Sequence, residues 1–260
     1  MRPRRALVTG GGRGIGRAIA LGLAGDGVDV VVTARSVDEL DAVVAEGAAV
    51  GGGAVQAVPA DLGDLERVQA LAGEAEALLG GHINVLVNNA GVSLPGPTPT
   101  VPLPDWELSL RVNVTAPFLL CQATLPAMAE DRWGRVISIG SLYSRFGVPL
   151  AASYTASKHA ILGLTRVISQ EFARKGVTAN TLAPGFVDTE MVRAETLRVA
   201  TKHGLSTEDT LKRFLKNAGQ AIGRTIEAEE VAALVVFLAS EPAAAITGQI
   251  INVDGGAHQG

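Results

Sequence analysis

Cysteine is nearly absent from the chain: Cys121 is the only one. No disulfide can form within the chain, and a lone cysteine favours a reducing compartment. Apolar runs of membrane-spanning length are also missing, so we expect no membrane partner. Residues 1–5 are basic, but the apolar stretch after them is too short for a signal peptide. The sequence therefore predicts a cytoplasmic protein.

Charged residues are scarce as well. They make up 18% of the chain, and the formal net charge is -4. This balance argues against a nucleic-acid partner, which would be bound mainly through its phosphates. A hydrophobic content of 47% excludes a disordered chain. The histidines show no metal-ligand spacing, and we predict no metal site; they are His82, His159, His203 and His258.

Apolar strands alternate with helical stretches along all 260 residues. This alternation is typical of an α/β protein with a parallel sheet, and we expect one domain, 1–260. Five prolines between 95 and 104 predict a stiff loop, because the alternation resumes directly after them. Residues 190–223 break the pattern with two helices around Gly204. They follow the sixth strand, at the sheet edge where ligands bind, so we interpret them as a substrate lid.

A glycine-rich turn follows the first strand. Residues 9–16 read TGGGRGIG and lead into a helical stretch. Gly10, Gly14 and Gly16 permit positive φ angles and the close approach of a pyrophosphate. The helix start adds N–H groups and the positive end of a dipole. The spacing differs from the commoner G-x-G-x-x-G, but strand, turn and helix follow the order that dinucleotide binding requires.

The second strand ends without the carboxylate that would bind a ribose 2′-hydroxyl. Arg35 stands at that end instead, and Arg13 in the glycine turn should face the same ribose. Two guanidinium groups suit a 2′-phosphate, so we predict NADPH preference over NADH by roughly 10- to 100-fold. The alternative is that both arginines are solvated, which Asp38 nearby keeps open.

Two further segments should border the same crevice. Asp61, just past the third strand, could accept a hydrogen bond from an adenine amine or could cap the helix that starts at Leu65. Asn88 and Asn89 end the fourth strand in an NNAG segment. Their amides could tie neighbouring strands together beside a cofactor, although a simple turn is an equal alternative.

Tyr154 and Lys158 lie four residues apart in a helical pattern, which puts both side chains on one helix face. A phenol has an ordinary pKa near ~10, and a nearby ammonium should draw it down towards neutral pH. Ser141 follows the fifth strand, where its hydroxyl could hold a carbonyl oxygen. These three residues predict a proton-transfer site, provided that the fold brings them together.

Taken together, these motifs resemble the short-chain dehydrogenase/reductases over essentially the whole chain. The matching segments are TGGGRGIG at 9–16, NNAG at 88–91, YTASK at 154–158 and PGFVDT at 184–189, together with Asp61, Asn113 and Ser141. The resemblance implies a doubly wound Rossmann-type sheet of seven parallel strands in the order 3-2-1-4-5-6-7.

The resemblance also implies roles for individual residues. Tyr154 would be the general acid and base, Ser141 would orient the carbonyl, and Lys158 would bind the nicotinamide ribose. Asn113, within a long helix at 105–130, would hold a water in the proton relay. The implied NADP(H)-binding residues are Gly10, Arg13, Gly14, Ile15, Gly16, Arg35, Asp61, Leu62, Asn88, Ala90, Gly91, Tyr154, Lys158, Pro184, Gly185, Val187 and Thr189.

The substrate implied by the resemblance is a ketone that is reduced to a secondary alcohol. The segments from 154 to 192 and the lid look most like ketoreductases of fatty-acid and polyketide synthesis, which favours a 3-oxoacyl thioester carried on an acyl carrier protein or CoA. The lid cations Lys202, Lys212, Arg213 and Lys216 could meet the carrier's phosphates or could simply be solvated.

Other functions remain open at this point. One alternative is an alcohol dehydrogenase or carbonyl reductase that acts on a small ketone, sugar or cyclic alcohol. Another is a catalytically silent dinucleotide sensor or scaffold. The family resemblance further implies a homotetramer, with one interface near Asn113 and Lys158 and another at the last strand.

Overall fold

The computed structural model describes residues 3–258. Seven parallel strands form one sheet in the order β3-β2-β1-β4-β5-β6-β7, which confirms the predicted topology. The strands are β1 Arg5–Thr9, β2 Asp29–Thr33, β3 Val55–Ala57, β4 Val85–Asn88, β5 Gly134–Ile139, β6 Val177–Pro184 and β7 Ile250–Val253.

The helices cover both faces of this sheet. They are α1 Gly14–Gly25, α2 Val37–Val50, α3 Leu65–Leu79, α4 Leu103–Leu110, α5 Ala116–Glu130, α6 Ala152–Phe172, α7 Glu190–His203, α8 Thr207–Asn217 and α9 Ala228–Leu238. Several begin at a side-chain cap: Ser36 caps α2, Asp64 caps α3 and Ser206 caps α8.

Alternation along the strands divides the core into two layers. Val30 and Val32 of β2 pack into the layer under α1 and α9, whereas Val31 packs into the layer under α3 and α5. All three valines are fully buried. Burial on both faces explains why β2 is a continuous apolar run and why helices must lie on each side of the sheet.

The strand order reverses between β1 and β4, which pair in register from Ala6 with Val85 to Val8 with Val87. Helices leave the carboxyl ends of these two strands towards opposite faces. This arrangement opens a crevice at that edge of the sheet, where the loops after β1, β4, β5 and β6 meet.

The long helix predicted at 105–130 is interrupted. It begins at Leu103, and residues Arg111–Thr115 form a π-helical turn between α4 and α5. Among the described residues, Leu103–Glu130 is the one helical stretch long and apolar enough to cross a membrane, and half of its apolar window is buried inside the protein. The helix was predicted but its apolar character was not, because Asn113, Gln122 and the prolines at 117 and 126 divide the apolar run.

Candidate functional site

A cavity of about 520 Å³ occupies the crevice at the carboxyl edge of the sheet. It brings together almost all of the residues predicted to bind the cofactor, with Ser141, Tyr154 and Lys158 at one end. The predicted residues that line it are Gly10, Arg13, Gly14, Ile15, Gly16, Arg35, Asp61, Leu62, Ala90, Gly91, Ser141, Tyr154, Lys158, Pro184, Gly185, Val187 and Thr189.

The glycine turn is too tight for larger residues. A Cβ on Gly16 would lie 2.1 Å from the carbonyl oxygen of Gly10, and one on Gly10 would lie 2.9 Å from Cα of Ala90. Gly10 and Gly14 have positive φ angles of 63° and 52°. The turn therefore brings main-chain N–H groups and the start of α1 to the cavity wall, as an anion site requires.

The two asparagines of the NNAG segment have different environments. Asn89 lines the cavity and donates from Nδ2 to the carbonyls of Thr9 and Gly10, at 2.9 and 3.1 Å. Asn88 was predicted to bind the cofactor, but its buried side chain points to α5 and donates to the Sγ of Cys121 at 3.7 Å. Neighbouring strand residues face opposite sides of the sheet, so only Asn89 can tie β4 to the glycine turn.

The edge of the cavity beyond β2 is more acidic than predicted. Arg13 is not free to face a ribose: its Nη1 pairs with Glu39 at 3.2 Å and with Glu190 at 2.6 Å. Glu39 lines the cavity together with Arg35 and Ser36. A 2′-phosphate at this edge would therefore meet the unpaired guanidinium of Arg35 and the hydroxyl of Ser36. It would also meet the carboxylate of Glu39, which already pairs with Arg13.

The cavity wall also carries polar groups that suit an adenosine ribose and base. The hydroxyl of Thr33, at the end of β2, is buried without a hydrogen-bond partner among the described residues. Asp61 accepts from the N–H of Gly63 at 2.8 Å, while Asp64 accepts from the first N–H groups of α3. The helix-cap alternative for Asp61 is therefore wrong, and its second oxygen remains available. These unsatisfied groups and the glycine cradle fit a dinucleotide.

A short 3₁₀ turn at Leu142–Ser144 holds Ser141 in place. The Oγ of Ser141 accepts from the N–H of Tyr143, and the N–H of Ser141 donates to the Oγ of Ser144, both at 3.2 Å. This reciprocal capping box uses the serine oxygen as an acceptor and leaves its proton free to be donated. The hydroxyl of Ser141 stands near the phenol of Tyr154, whose pKa it lowers in part.

Tyr154 and Lys158 lie on one face of α6, as predicted, and both open into the cavity. The Nζ of Lys158 lies 5.4 Å from the centre of the tyrosine ring and donates to the carbonyl of Ile139 at 2.7 Å. Burial raises the pKa of Tyr154 to about 12, although the hydroxyl of Ser141 lowers it in part. Burial likewise lowers the pKa of Lys158 to about 8.

The prediction that Lys158 lowers the pKa of Tyr154 is not supported by these directions. Desolvation opposes the charged form of both side chains, and Lys158 is not among the groups that lower the pKa of Tyr154. The two residues meet as expected from their spacing. Their electrostatics depend on how much water the fold removes, which the spacing does not reveal.

Asn113 lies in the π-helical turn and does not line the cavity, although it is buried beside it. Its Oδ1 accepts from the N–H of Val92 at 2.9 Å, and its Nδ2 donates to the carbonyl of Val92 and the hydroxyl of Ser157. The side chain therefore fixes the loop after β4 against α6. A π-turn also leaves one helical carbonyl without its usual partner, a feature common at functional sites.

The segment interpreted as a substrate lid forms α7 and α8, joined at Gly204, whose φ is 64°. Thr189 caps α7, and Phe214 of α8 stacks on Phe186 with ring centres 5.7 Å apart. Of the four lid cations, Lys212 is paired with Glu208 at 2.7 Å.

Sequence reasoning overlooked several residues that line the crevice, chiefly Ser36, Glu39 and Glu190. Glu39 and Glu190 resemble ordinary first-turn acids of α2 and α7, so no local signal marked them. Tyr143 was overlooked as well, although it follows Ser141 by two residues. Its ring meets that of Tyr154 edge-on, with centres 5.9 Å apart.

The sequence model of the short chain dehydrogenase family matches residues 4–199. A 3-oxoacyl-[acyl-carrier-protein] reductase of Synechocystis sp. is 40% identical, over 96% of this chain and 95% of its own length. A D-beta-hydroxybutyrate dehydrogenase of Cupriavidus necator is 35% identical, over 97% of both chains.

The fold has close solved relatives. A variant of actinorhodin polyketide ketoreductase, crystallised with NADPH, superposes with a TM-score of 0.91. It is 34% identical, and the match covers 98% of this chain and 97% of that one. Family, fold and the Ser141, Tyr154 and Lys158 cluster agree: the chain is an oxidoreductase of the short-chain dehydrogenase family.

Proposed function

We propose that this enzyme is an NADPH-dependent ketoreductase that reduces the 3-oxo group of an acyl thioester carried on an acyl carrier protein or CoA. The observation that carries the proposal is the cluster of Ser141, Tyr154 and Lys158, whose side chains line one end of the crevice that the predicted cofactor-binding residues also line. The similarity to a 3-oxoacyl-[acyl-carrier-protein] reductase and to a polyketide ketoreductase supports the thioester.

In this proposal the cofactor lies between the glycine turn and the carboxyl ends of β4, β5 and β6. Gly14, Ile15 and Gly16 would hold the pyrophosphate, Arg35 and Ser36 the 2′-phosphate, and Val187 and Thr189 the nicotinamide end; all of these residues line the crevice. Bound NADPH supplies a hydride to the carbonyl carbon. Every other part of the chemistry falls to side chains of the chain itself.

Ser141 donates its free proton to the carbonyl oxygen and so orients the substrate. Tyr154 then donates its proton to the oxygen as negative charge develops there. The phenol is protonated at neutral pH, as the acid of the reducing direction must be, although a raised pKa makes it a weaker donor than an ordinary phenol. Lys158 would bind the nicotinamide ribose, and the turn at Asn113 would hold a water that returns a proton to Tyr154.

The experiment that tests this proposal is a panel assay of NADPH oxidation. We expect turnover with acetoacetyl thioesters to exceed turnover with cyclic ketones and sugar ketones. Higher turnover with a small free ketone would favour the second candidate, a dehydrogenase of small secondary alcohols, which the similarity to D-beta-hydroxybutyrate dehydrogenase supports. No turnover with any ketone would favour a silent dinucleotide sensor.

We further propose a cytoplasmic homotetramer. Phe118 on α5 and Val167 on α6 leave 46% and 52% of their surfaces exposed, which suits a face that a second copy covers. Residues of the edge strand β7 are only partly buried, so it offers a second contact. Sedimentation-velocity ultracentrifugation should give a species of about four chains, and a monomer would contradict the proposal.

A further inference from the structure

A second cavity lies apart from the crevice, between α6, β7 and the 3₁₀ turn at Leu142–Ser144. Its volume is about 510 Å³, close to that of the crevice, and the two cavities share no lining residue. Ser141, at the start of the turn, lines the crevice, whereas Ser144, at its end, lines the second cavity. The second cavity is therefore a separate space, which the proposed reaction does not use.

The lining of the second cavity is basic. Four of its eight lining residues have basic side chains and none is acidic; the four are Arg145, His159, Arg166 and His258. The carboxylate of Asp254 does not line the cavity and accepts instead from the main-chain N–H of His258 at 3.0 Å. Basic groups gathered around one concave space raise the local concentration of anions.

The two arginines are prepared for an anion in different ways. Arg145 is held in place by β7, because its Nε donates to Oδ1 of Asn252 at 3.2 Å and its Nη2 donates to the carbonyl of Ile250 at 3.1 Å. Arg166, on α6, is exposed and makes no hydrogen bond or ion pair with any described residue. A guanidinium presents its N–H groups in a planar fork that matches the oxygens of a phosphate.

The two histidines add further polar groups to the wall. Nδ1 of His159 lies 3.0 Å from the carbonyl of Thr155, which can only accept, so Nδ1 carries a proton and Nε2 has no partner among the described residues. The ring of His258 packs against Phe146, with ring centres 5.7 Å apart, and this contact orients it at the cavity. An imidazole protonated on both nitrogens can donate to an anion held there.

We propose that the second cavity binds a small organic phosphate, that is, a phosphate monoester that carries an apolar group. The basic side chains hold the phosphate oxygens, and Leu162 and Ile250 supply an apolar wall for the organic part. The volume is typical of small-molecule sites and leaves room for more than one inorganic phosphate. This inference does not depend on the proposed function, because the cofactor and the ketone bind in the crevice.

The test is calorimetric titration of phenyl phosphate into the enzyme saturated with NADPH, which fills the phosphate sites of the crevice. We expect binding to be tighter than that of inorganic phosphate, because the phenyl group meets the apolar wall. Arg166→Gln should weaken binding about 10-fold, the effect of one lost charge-assisted contact. Arg174→Gln is the matched control: this exposed arginine lies in the turn after α6, outside the cavity, and its Kd should stay within about 2-fold.

A second variant tests the site independently. His159 is exposed, so His159→Ala should fold normally, and we expect it to weaken binding by about 3-fold or more. The absence of phenyl phosphate binding to the wild-type enzyme, or an unchanged Kd in both Arg166→Gln and His159→Ala, would overturn the proposal. Affinity that falls in Arg35→Gln but not in Arg166→Gln would place the ligand in the crevice and would overturn it as well.

Discussion

Lys158 lies one helical turn beyond Tyr154, yet its ammonium is bound to the carbonyl of Ile139 rather than to the phenol. The lysine thereby joins α6 to the end of β5, directly before the turn that carries Ser141. Lys158 therefore fixes the geometry of the site and also contributes charge to it. The protonation states of Tyr154 and Lys158 should therefore change with pH and with any ligand that displaces water from the crevice.

Replacement of Tyr154 by Phe should remove the proton donor and leave the crevice intact. We expect kcat to fall by at least about 100-fold, the usual contribution of general acid–base catalysis. The Kd of NADPH, measured by fluorescence titration, should stay within about 3-fold of the wild-type value. A variant with near-normal turnover would show that another group donates the proton.

The protonation state of Tyr154 can be observed directly. Because burial raises its pKa to about 12, the enzyme without cofactor should form no tyrosinate from this residue below pH 10. The measurement is the difference in absorbance at about 295 nm between the wild type and Tyr154→Phe across a pH titration. An apparent pKa near neutrality would instead restore the view that Lys158 stabilises the phenolate.

Lys158 should make stability depend on pH. Its pKa is lowered from 10.5 to about 8 by burial, so between those values the unfolded chain binds more protons than the folded one. The free energy of unfolding should therefore rise as pH increases from 8 to 10.5, by at most about 3 kcal/mol, while below pH 8 the cost of the buried charge persists.

Urea unfolding at several pH values tests this dependence. Lys158→Met should flatten the rise between pH 8 and 10.5, whereas Lys175→Met, at an exposed lysine on the 3₁₀ turn after α6, should retain it. Equal pH profiles for the wild type and Lys158→Met would show that the buried lysine does not titrate in this range.

The preference for NADPH over NADH should depend on the charges of Arg13, Arg35 and Glu39 near the end of β2. Arg35→Gln should weaken NADPH binding about 10-fold, the effect of one lost charge-assisted contact, with little effect on NADH. Glu39→Gln should strengthen NADPH binding, because it removes a carboxylate that pairs with Arg13. Arg17→Gln is the control, since Arg17 pairs with Glu46 away from the crevice. Unchanged Kd ratios in Arg35→Gln would place the 2′-phosphate elsewhere.

Two glycine-to-alanine changes should act in opposite directions. Gly16→Ala should destabilise the fold by more than about 2 kcal/mol and abolish cofactor binding, because its Cβ would lie 2.1 Å from a main-chain oxygen. Gly73→Ala, in α3, has no atom within 4 Å of its Cβ and should stabilise the protein by about 0.5–1 kcal/mol. Thermal unfolding of both variants checks this; a stable Gly16→Ala variant that binds NADPH would disprove the tight turn.

Much of this protein follows from its sequence. The alternation of apolar strands and helices predicts the parallel sheet, since strands buried on both faces must be apolar throughout. The glycine turn and the shared helix face of Tyr154 and Lys158 depend only on neighbouring residues. The sequence therefore predicts both of them correctly.

Only the tertiary structure decides the features that depend on distant groups. It directs the side chain of Asn88 into the core and that of Asn89 to the crevice. It also pairs Glu190 with Arg13, 177 residues away in the sequence. It also sets how much water surrounds Tyr154, and therefore the direction of its pKa shift. Sequence specifies which chemical groups are present and their spacing along the chain, whereas burial and charge pairing arise from residues that meet only after folding.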